Sequence, residues 1–299
     1  MYFSIFLLEK SLESNALHLK ELSKNYQNLN ALYQNGMAKR SDLNKIHIEI
    51  SKCEKNALYL SNQKNIALET LILLSHLDDK DQQLSPPDKS QSLSYFEEIF
   101  KIFNPDSKQT DFLFDKRPEI AFFSSKQEEV LVRKKLEMSK SLPYVEAFFQ
   151  SGYANPGLNI LQSSFQGYYI AGVRAIWDFS NLYSKSYQDE AIRKENLQIV
   201  SQKEEFLFNA KITLLSQLKN VSNLIETLKE NEKIIALQQK ILQDSQYSMR
   251  NGVLSVNDLL TDINKLHALQ IESNYQEIEL LKSIYTIKQH LNEWELNEF

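Results

Sequence analysis

The side chains that could hold a metal or move a proton are five histidines, one cysteine and thirty-nine acids. His18, His47, His76, His267 and His290 are scattered, with no H-E-x-x-H spacing. There is no phosphate-binding loop and no Gly-x-Ser-x-Gly elbow. A single Cys53 excludes an intrachain disulfide and a cysteine-rich metal cluster, and within a helical pattern it reads as an inert, half-buried thiol. No enzyme, cofactor or metal site is therefore expected. What remains is acids beside two turns. Asp42 follows Gly36, while Asp258, with Asp262 a helical turn on, follows Gly252. Acids at a helix start satisfy free amide groups, so Ser41-Asp42 and Asp258 can each cap the helix that follows. The many Glu and Lys elsewhere read as solvated helix faces.

The elements that carry these acids are long. The chain has 299 residues but only six glycines and six prolines, and they fall in short intervals. The stretch 185–251 holds only Gly-free, Pro-free sequence and could make one rod of roughly 100 Å. Leu214, Leu218, Val221, Ile225 and Leu228 step by 4, 3, 4 and 3, the heptad seam of supercoiled helices. The phase continues through Ile235 and Leu242, placing Glu232 and Gln239 on the seam. Asn251-Gly252 ends this rod, and a return helix runs to about Trp294 with Leu280, Ile284, Ile287 and Leu291 in the same rhythm. At the front, a helix over 1–35 breaks at Asn35-Gly36 and a second reaches about Leu77. The polar, proline-bearing stretch 78–116 reads as a linker with a short amphipathic helix from Leu93 to Phe103. Arg117-Pro118-Glu119 reads as the start of another helix. The organisation expected is thus 1–77, 78–116 and 117–299, the last containing a helix, a hairpin at 142–179 and long helices at 184–250 and 257–295.

Residues 142–179 differ in kind. They hold four of the six glycines and nine aromatic residues, too many for another solvated rod. Tyr169, Ala171, Val173, Ala175, Trp177 and Phe179 alternate with Ile170, Gly172, Arg174, Ile176 and Asp178, a period-two strand signal. Val145, Ala147 and Phe149 give the preceding strand an apolar face, and Gly152 to Gly167 reads as the loop. A soluble hairpin packed on a helix fits this pattern, and so does a pair of transmembrane strands.

Composition narrows the partners. A net charge of −5 without a basic, aromatic-interleaved cluster argues against nucleic acid. No run of 18 apolar residues exists for a transmembrane helix, and the apolar residues 2–8 lack the basic flank of a signal peptide.

The two turns repeat. Asn35-Gly36-x4-Ser41-Asp42-Leu43 aligns with Asn251-Gly252-x4-Asn257-Asp258-Leu259 at an offset of 252 − 36 = 216, and Tyr59 with Tyr275 keeps it. Met1 then aligns with Gln217, in the middle of the rod. Either the first copy is shorter, or the chain is an N-terminally shortened version of a longer protein; the second is the expectation.

Four segments in order carry a resemblance: Arg117-Pro118-Glu119-Ile120; Ser141-Leu142-Pro143-Tyr144-Val145; Gly172 to Phe179 with its Trp-x-Phe ending; and Asn251-Gly252 with Asp258-Leu259-Leu260. Together they resemble the TolC family of outer-membrane efflux and secretion channels. The resemblance implies a mainly α fold, long antiparallel helical hairpins forming the helical barrel of a homotrimer, plus one β-hairpin of an outer-membrane β-barrel. It implies location in the cell outer membrane, in contact with outer-membrane lipid. A periplasmic adaptor and an inner-membrane pump would deliver drugs or secreted proteins to it. Asp258, with Asp262 and Asp42, would stand at the periplasmic gate, where threefold symmetry makes rings of carboxylates. Thr261 stands where a second gate acid is common in the family. Gly36 and Gly252 would mark the tip turns that meet the adaptor. Arg174 and Asp178 would face the barrel lumen. Tyr144, Tyr169 and Trp177 would sit in the membrane-interface belt. The alternatives are a soluble coiled-coil adaptor or scaffold, or a non-functional fragment of a channel.

Overall fold

The long intervals without glycine or proline are helical in the computed structural model, which describes residues 1–75 and 84–293. The order is α1 (Tyr2–Gln34), α2 (Arg40–Ser75), α3 (Lys89–Ile102), a 3₁₀ segment (Lys108–Phe114), α4 (Pro118–Lys140), β1 (Tyr144–Ala154), β2 (Gln166–Ile176), α5 (Ser180–Arg250) and α6 (Val256–Leu291). The expected class, long helices with one two-stranded hairpin, is what the chain adopts. His76, the expected helix end at Leu77, the first part of the linker and the last seam position, Trp294, lie outside the described residues. α3 starts earlier than Leu93 because Asp88 caps it, accepting hydrogen bonds from the amides of Ser90 and Gln91.

Contacts divide the chain into two compact units, Met1–Thr110 with Lys211–Phe299, and Asp111–Ala210. In the first, α1 and α2 run antiparallel: Asn15 donates to the Cys53 carbonyl at 2.9 Å, and Asn56 donates to Asn15 at 3.1 Å. α5 and α6 do the same, through Asn231 to Gln276 at 2.7 Å and Ser245 to Asp262 at 2.6 Å. A shared core of Leu22, Leu29, Leu43, Ile46, Leu242, Met249, Leu259 and Ile263 closes the end that carries both turns.

The seam of α5 is only partly as expected. Leu214, Leu218 and Val221 are buried, and the row Leu228, Ile235, Leu242, Met249 continues at heptad spacing. Its companion row, however, moves. It stands four residues on at Leu218 and Ile225, but three residues on at Asn231, Gln238 and Ser245. Glu232 and Gln239, which the unbroken heptad puts on the seam, are exposed instead. The reason is chemical. A carboxylate at the seam would be buried without a cation, whereas Asn231 and Ser245 find acceptors on α6, and Gln238 donates to the Asp262 carbonyl at 3.3 Å.

In the second unit α4 lies antiparallel to the first part of α5. Val130 packs with Ile192 and Ile199, and Arg133 Nη1 donates to both carboxylate oxygens of Glu195 at 2.8 and 2.9 Å. Arg117 precedes the helix and Pro118 opens it, where a missing N–H costs nothing.

Candidate functional sites on the hairpin and the helix turns

β1 and β2 pair antiparallel from Tyr144↔Ile176 to Ala154↔Gln166, so the ladder runs past Gly152 and Gly167 into the expected loop. Register and pleat then fix two faces. One carries Val145, Ala147, Phe149, Ser151 and Tyr153 with Ala175, Val173, Ala171, Tyr169 and Gly167. It is apolar but for Ser151, and among the described residues no other element covers it: Phe149, Tyr153, Tyr169 and Val173 are each at least 70% exposed. The soluble alternative, a hairpin packed on a helix, is not what the chain builds. Exposed apolar area of this kind marks an interaction surface.

The opposite face carries Tyr144, Glu146, Phe148, Gln150 and Gly152 with Ile176, Arg174, Gly172, Ile170 and Tyr168. Arg174 and Glu146 are cross-strand partners, 3.2 Å apart, and the Arg174 guanidinium also lies 5.3 Å over the Phe148 ring. Two glycines keep this face low. A Cβ on Gly172 would come within 2.8 Å of the Phe148 ring, and one on Gly152 within 2.7 Å of the Tyr168 hydroxyl. Each ring lies flat across its glycine partner. Tyr144 is on this polar face, opposite Tyr169, so the three expected belt aromatics do not share one face. Trp177, just past β2, donates its indole N–H to the Ser141 carbonyl at 3.3 Å, and its ring lies 4.7 Å from Phe179. Asp178 follows, exposed. The Glu146 partner of Arg174 went unread in sequence, although the two residues lie at nearly equal distances from the middle of the loop.

At the other pair of sites, the helix turns, the repeat holds bond for bond. The Gly36 amide donates to the Tyr33 carbonyl and the Met37 amide to that of Leu32, both at 2.9 Å. The Gly252 amide donates to Met249 at 3.0 Å and that of Val253 to Ser248 at 2.9 Å, which are the same positions plus 216. Both glycines have φ +73°. These are Schellman caps, whose left-handed residue favours glycine. Past the second turn, Ser255 is the cap of α6, with its hydroxyl oxygen accepting from the Asp258 amide at 3.2 Å. Asp258 itself is exposed in the first turn and accepts from the Ser255 hydroxyl at 2.7 Å. The cap expected of Asp258 is thus supplied three residues earlier. Asp42 likewise lies inside α2, which begins at Arg40, and pairs with Lys45 at 3.2 Å. Asp262 is half-buried and turned towards α5, held by Ser245.

Among the described residues, no group of three or more His, Cys, Asp or Glu side chains could hold a metal ion, and no helix is long and apolar enough to cross a membrane. The second statement does not bear on β-strands.

No protein-family model matches the chain, and no curated protein matches it in sequence. Its similarity is to solved structures. The outer membrane protein VceC of Vibrio cholerae superposes with a TM-score of 0.66 at 14% identity, over 97% of this chain and 67% of VceC. CusC, described by its transmembrane channel formation, gives 0.71 at 15% identity, over 97% and 66%. The CmeC outer membrane channel of Campylobacter jejuni gives 0.63 at 12% identity, over 97% and 60%. These are TolC-family outer-membrane channels. The chain has their fold, and it spans about two thirds of their length or slightly less.

Proposed function

We propose that the chain is a subunit of an outer-membrane channel of the TolC type, acting by geometry and charge and without chemistry of its own. The observation that carries this reading is the hairpin. Its exposed apolar face suits lipid, and its other face, with Arg174, Glu146 and Gln150 between flat-lying rings, suits a watery lumen. An open two-stranded ribbon cannot cross lipid, because its edges would be unpaired, so the hairpin has to join strands of other copies or segments in a closed barrel. A homotrimer supplies such copies. The helical hairpins then line a periplasmic conduit. The turns at Gly36 and Gly252 meet a periplasmic adaptor coupled to an inner-membrane pump, and Asp258 contributes to a ring of acids at the mouth. The cargo is drugs or secreted proteins.

The test is where the protein goes. In cells that express it, the protein should sediment with outer membranes and require detergent for release. Val173→Lys, which puts a charge in the middle of the apolar face, should prevent insertion, at a cost of about 2–4 kcal/mol for each lysine in the lipid. Recovery of the unaltered protein in the soluble periplasmic fraction as a monomer would reject the channel and favour the coiled-coil scaffold.

A further inference from the structure

Two histidines that are 249 positions apart in the sequence (267 − 18) lie face to face where α1 meets α6. Their ring centroids are 4.0 Å apart and their planes within 7° of parallel. His18 is buried and His267 half-buried. Ser14 Oγ stands 3.5 Å from Nδ1 of His267. They share the wall of an open groove with Leu242, Ile263 and Leu266. The charged groups about them are few. α1 brings Lys20, Glu21 and Lys24 to the groove, and α2 brings Glu49, which Lys52 already pairs at 2.7 Å. α5 presents Leu242 and holds Glu21 through Gln246. From α6 the titratable group is His267 itself. No carboxylate stands between the rings.

We propose that the stacked His18–His267 pair is an acid-labile latch that holds α1 against α6 while both rings are neutral and releases them when the rings take up protons. Two flat neutral imidazoles can stack with apolar neighbours, but two imidazolium ions at this distance repel each other and lose hydration. Burial, and then the neighbouring His267, holds the His18 pKa down at about 4, with Glu49 opposing. Burial also lowers that of His267. Because the packed pKa of His18 lies below the ordinary 6.5, the contact has its full strength above that value and weakens as the pH falls towards 4. Once parted, the rings rehydrate. The ratio of parted to packed molecules then rises by up to roughly tenfold per pH unit from His18 alone, and faster as His267 joins. The latch rests on the α1–α6 contact and does not require the channel reading.

The experiment measures the separation of α1 and α6 by pulsed electron paramagnetic resonance. Spin labels go at Leu17 and Ile271, both exposed, in a Cys53→Ala background. At pH 7.5 the distance distribution should be single and narrow. Between pH 6.5 and 5.0 a longer-distance population should grow by about tenfold or more, and reverse on neutralisation. His18→Phe/His267→Phe keeps two flat rings but cannot take up protons, and should remove the response. An unaltered protein that does not change down to pH 4.5 overturns the latch. So does a double variant that opens as the unaltered protein does, which would assign the effect to another tie between the two helices, such as the ion pair of Lys10 on α1 with Glu277 on α6. If circular dichroism shows the double variant unfolded, His267→Phe alone decides. Its logarithmic slope against pH should not exceed one proton and should be shallower than that of the unaltered protein; an equal slope overturns the proposal.

Discussion

The glycines of the two helix turns show how a backbone angle can select a residue when packing does not. At both Gly36 and Gly252 an added Cβ would meet no atom within 4 Å, yet φ is +73°. Crowding is therefore absent, and the cost of alanine is the left-handed backbone alone, about 1–2 kcal/mol. Gly36→Ala and Gly252→Ala should each lower stability by that amount in urea unfolding, and by equal amounts, since the two caps share their hydrogen bonds. Asparagine should cost less, since it tolerates the left-handed region, which Asn292 adopts at the end of α6 with φ 56°. A much larger loss at one turn would mean that it is packed in the assembly. The residue types at these turns were legible in the sequence because a Schellman cap is local. The caps of α2 and α6 were less so: the second repeat has a serine at 255 where the first has Lys39, so the repeat does not mark the capping position.

At the scale of the helix, the α5 seam separates what periodicity can and cannot say. The row of apolar residues seven apart is visible in one sequence because it depends only on α5. Which neighbour completes each pair depends on where α6 lies, and that is set by contacts with residues 17 to 63 positions away, as in Ser245–Asp262 and Asn220–Ser283. Single alanine substitutions should follow the observed pairing. Leu218→Ala, at a site 1% exposed, should cost about 2–5 kcal/mol. Asn231→Ala should cost about 1 kcal/mol for the lost bond to Gln276. Glu232→Ala, one position on, should stay within about 0.5 kcal/mol as an ordinary surface change. If Glu232 proved the costlier of these two neighbours, the shifted companion row would be wrong. The first repeat keeps one of these residues and changes two: the positions 216 earlier than Asn231, Gln238 and Ser245 are Asn15, Leu22 and Leu29, all buried.

For the molecule as a whole, the fold class was legible because it rests on strong, long signals: rods without breakers, a duplicated turn and one stretch of period-two alternation. The faces of the ribbon followed from that alternation, and the strand ends did not, since Gly152 and Gly167 read as loop residues until each is matched with the aromatic that covers or faces it, Tyr168 and Tyr153. The His18–His267 pair had no signal at all, because nothing local links two residues 249 positions apart. The role proposed for Asp258 also belongs to this scale, for one exposed carboxylate would become a filter only when symmetry repeats it. In the assembled protein, Asp258→Ala should raise single-channel conductance or reduce the preference for cations, with little change in folding stability, because Ser255 retains the α6 cap. Unchanged currents would leave Asp258 with its hydrogen bond to Ser255 and no part in the pore.

The switch from leucine to amide and hydroxyl along the companion row has one more consequence. Asn231, Gln238 and Ser245 can trade each partner on α6 for water at little net loss, whereas a leucine seam would have to expose oil to come apart. Near the second turn, these directional bonds therefore fix the register of α5 on α6, while Leu242 and Met249, packed with Leu259 and Ile263, hold the pair closed.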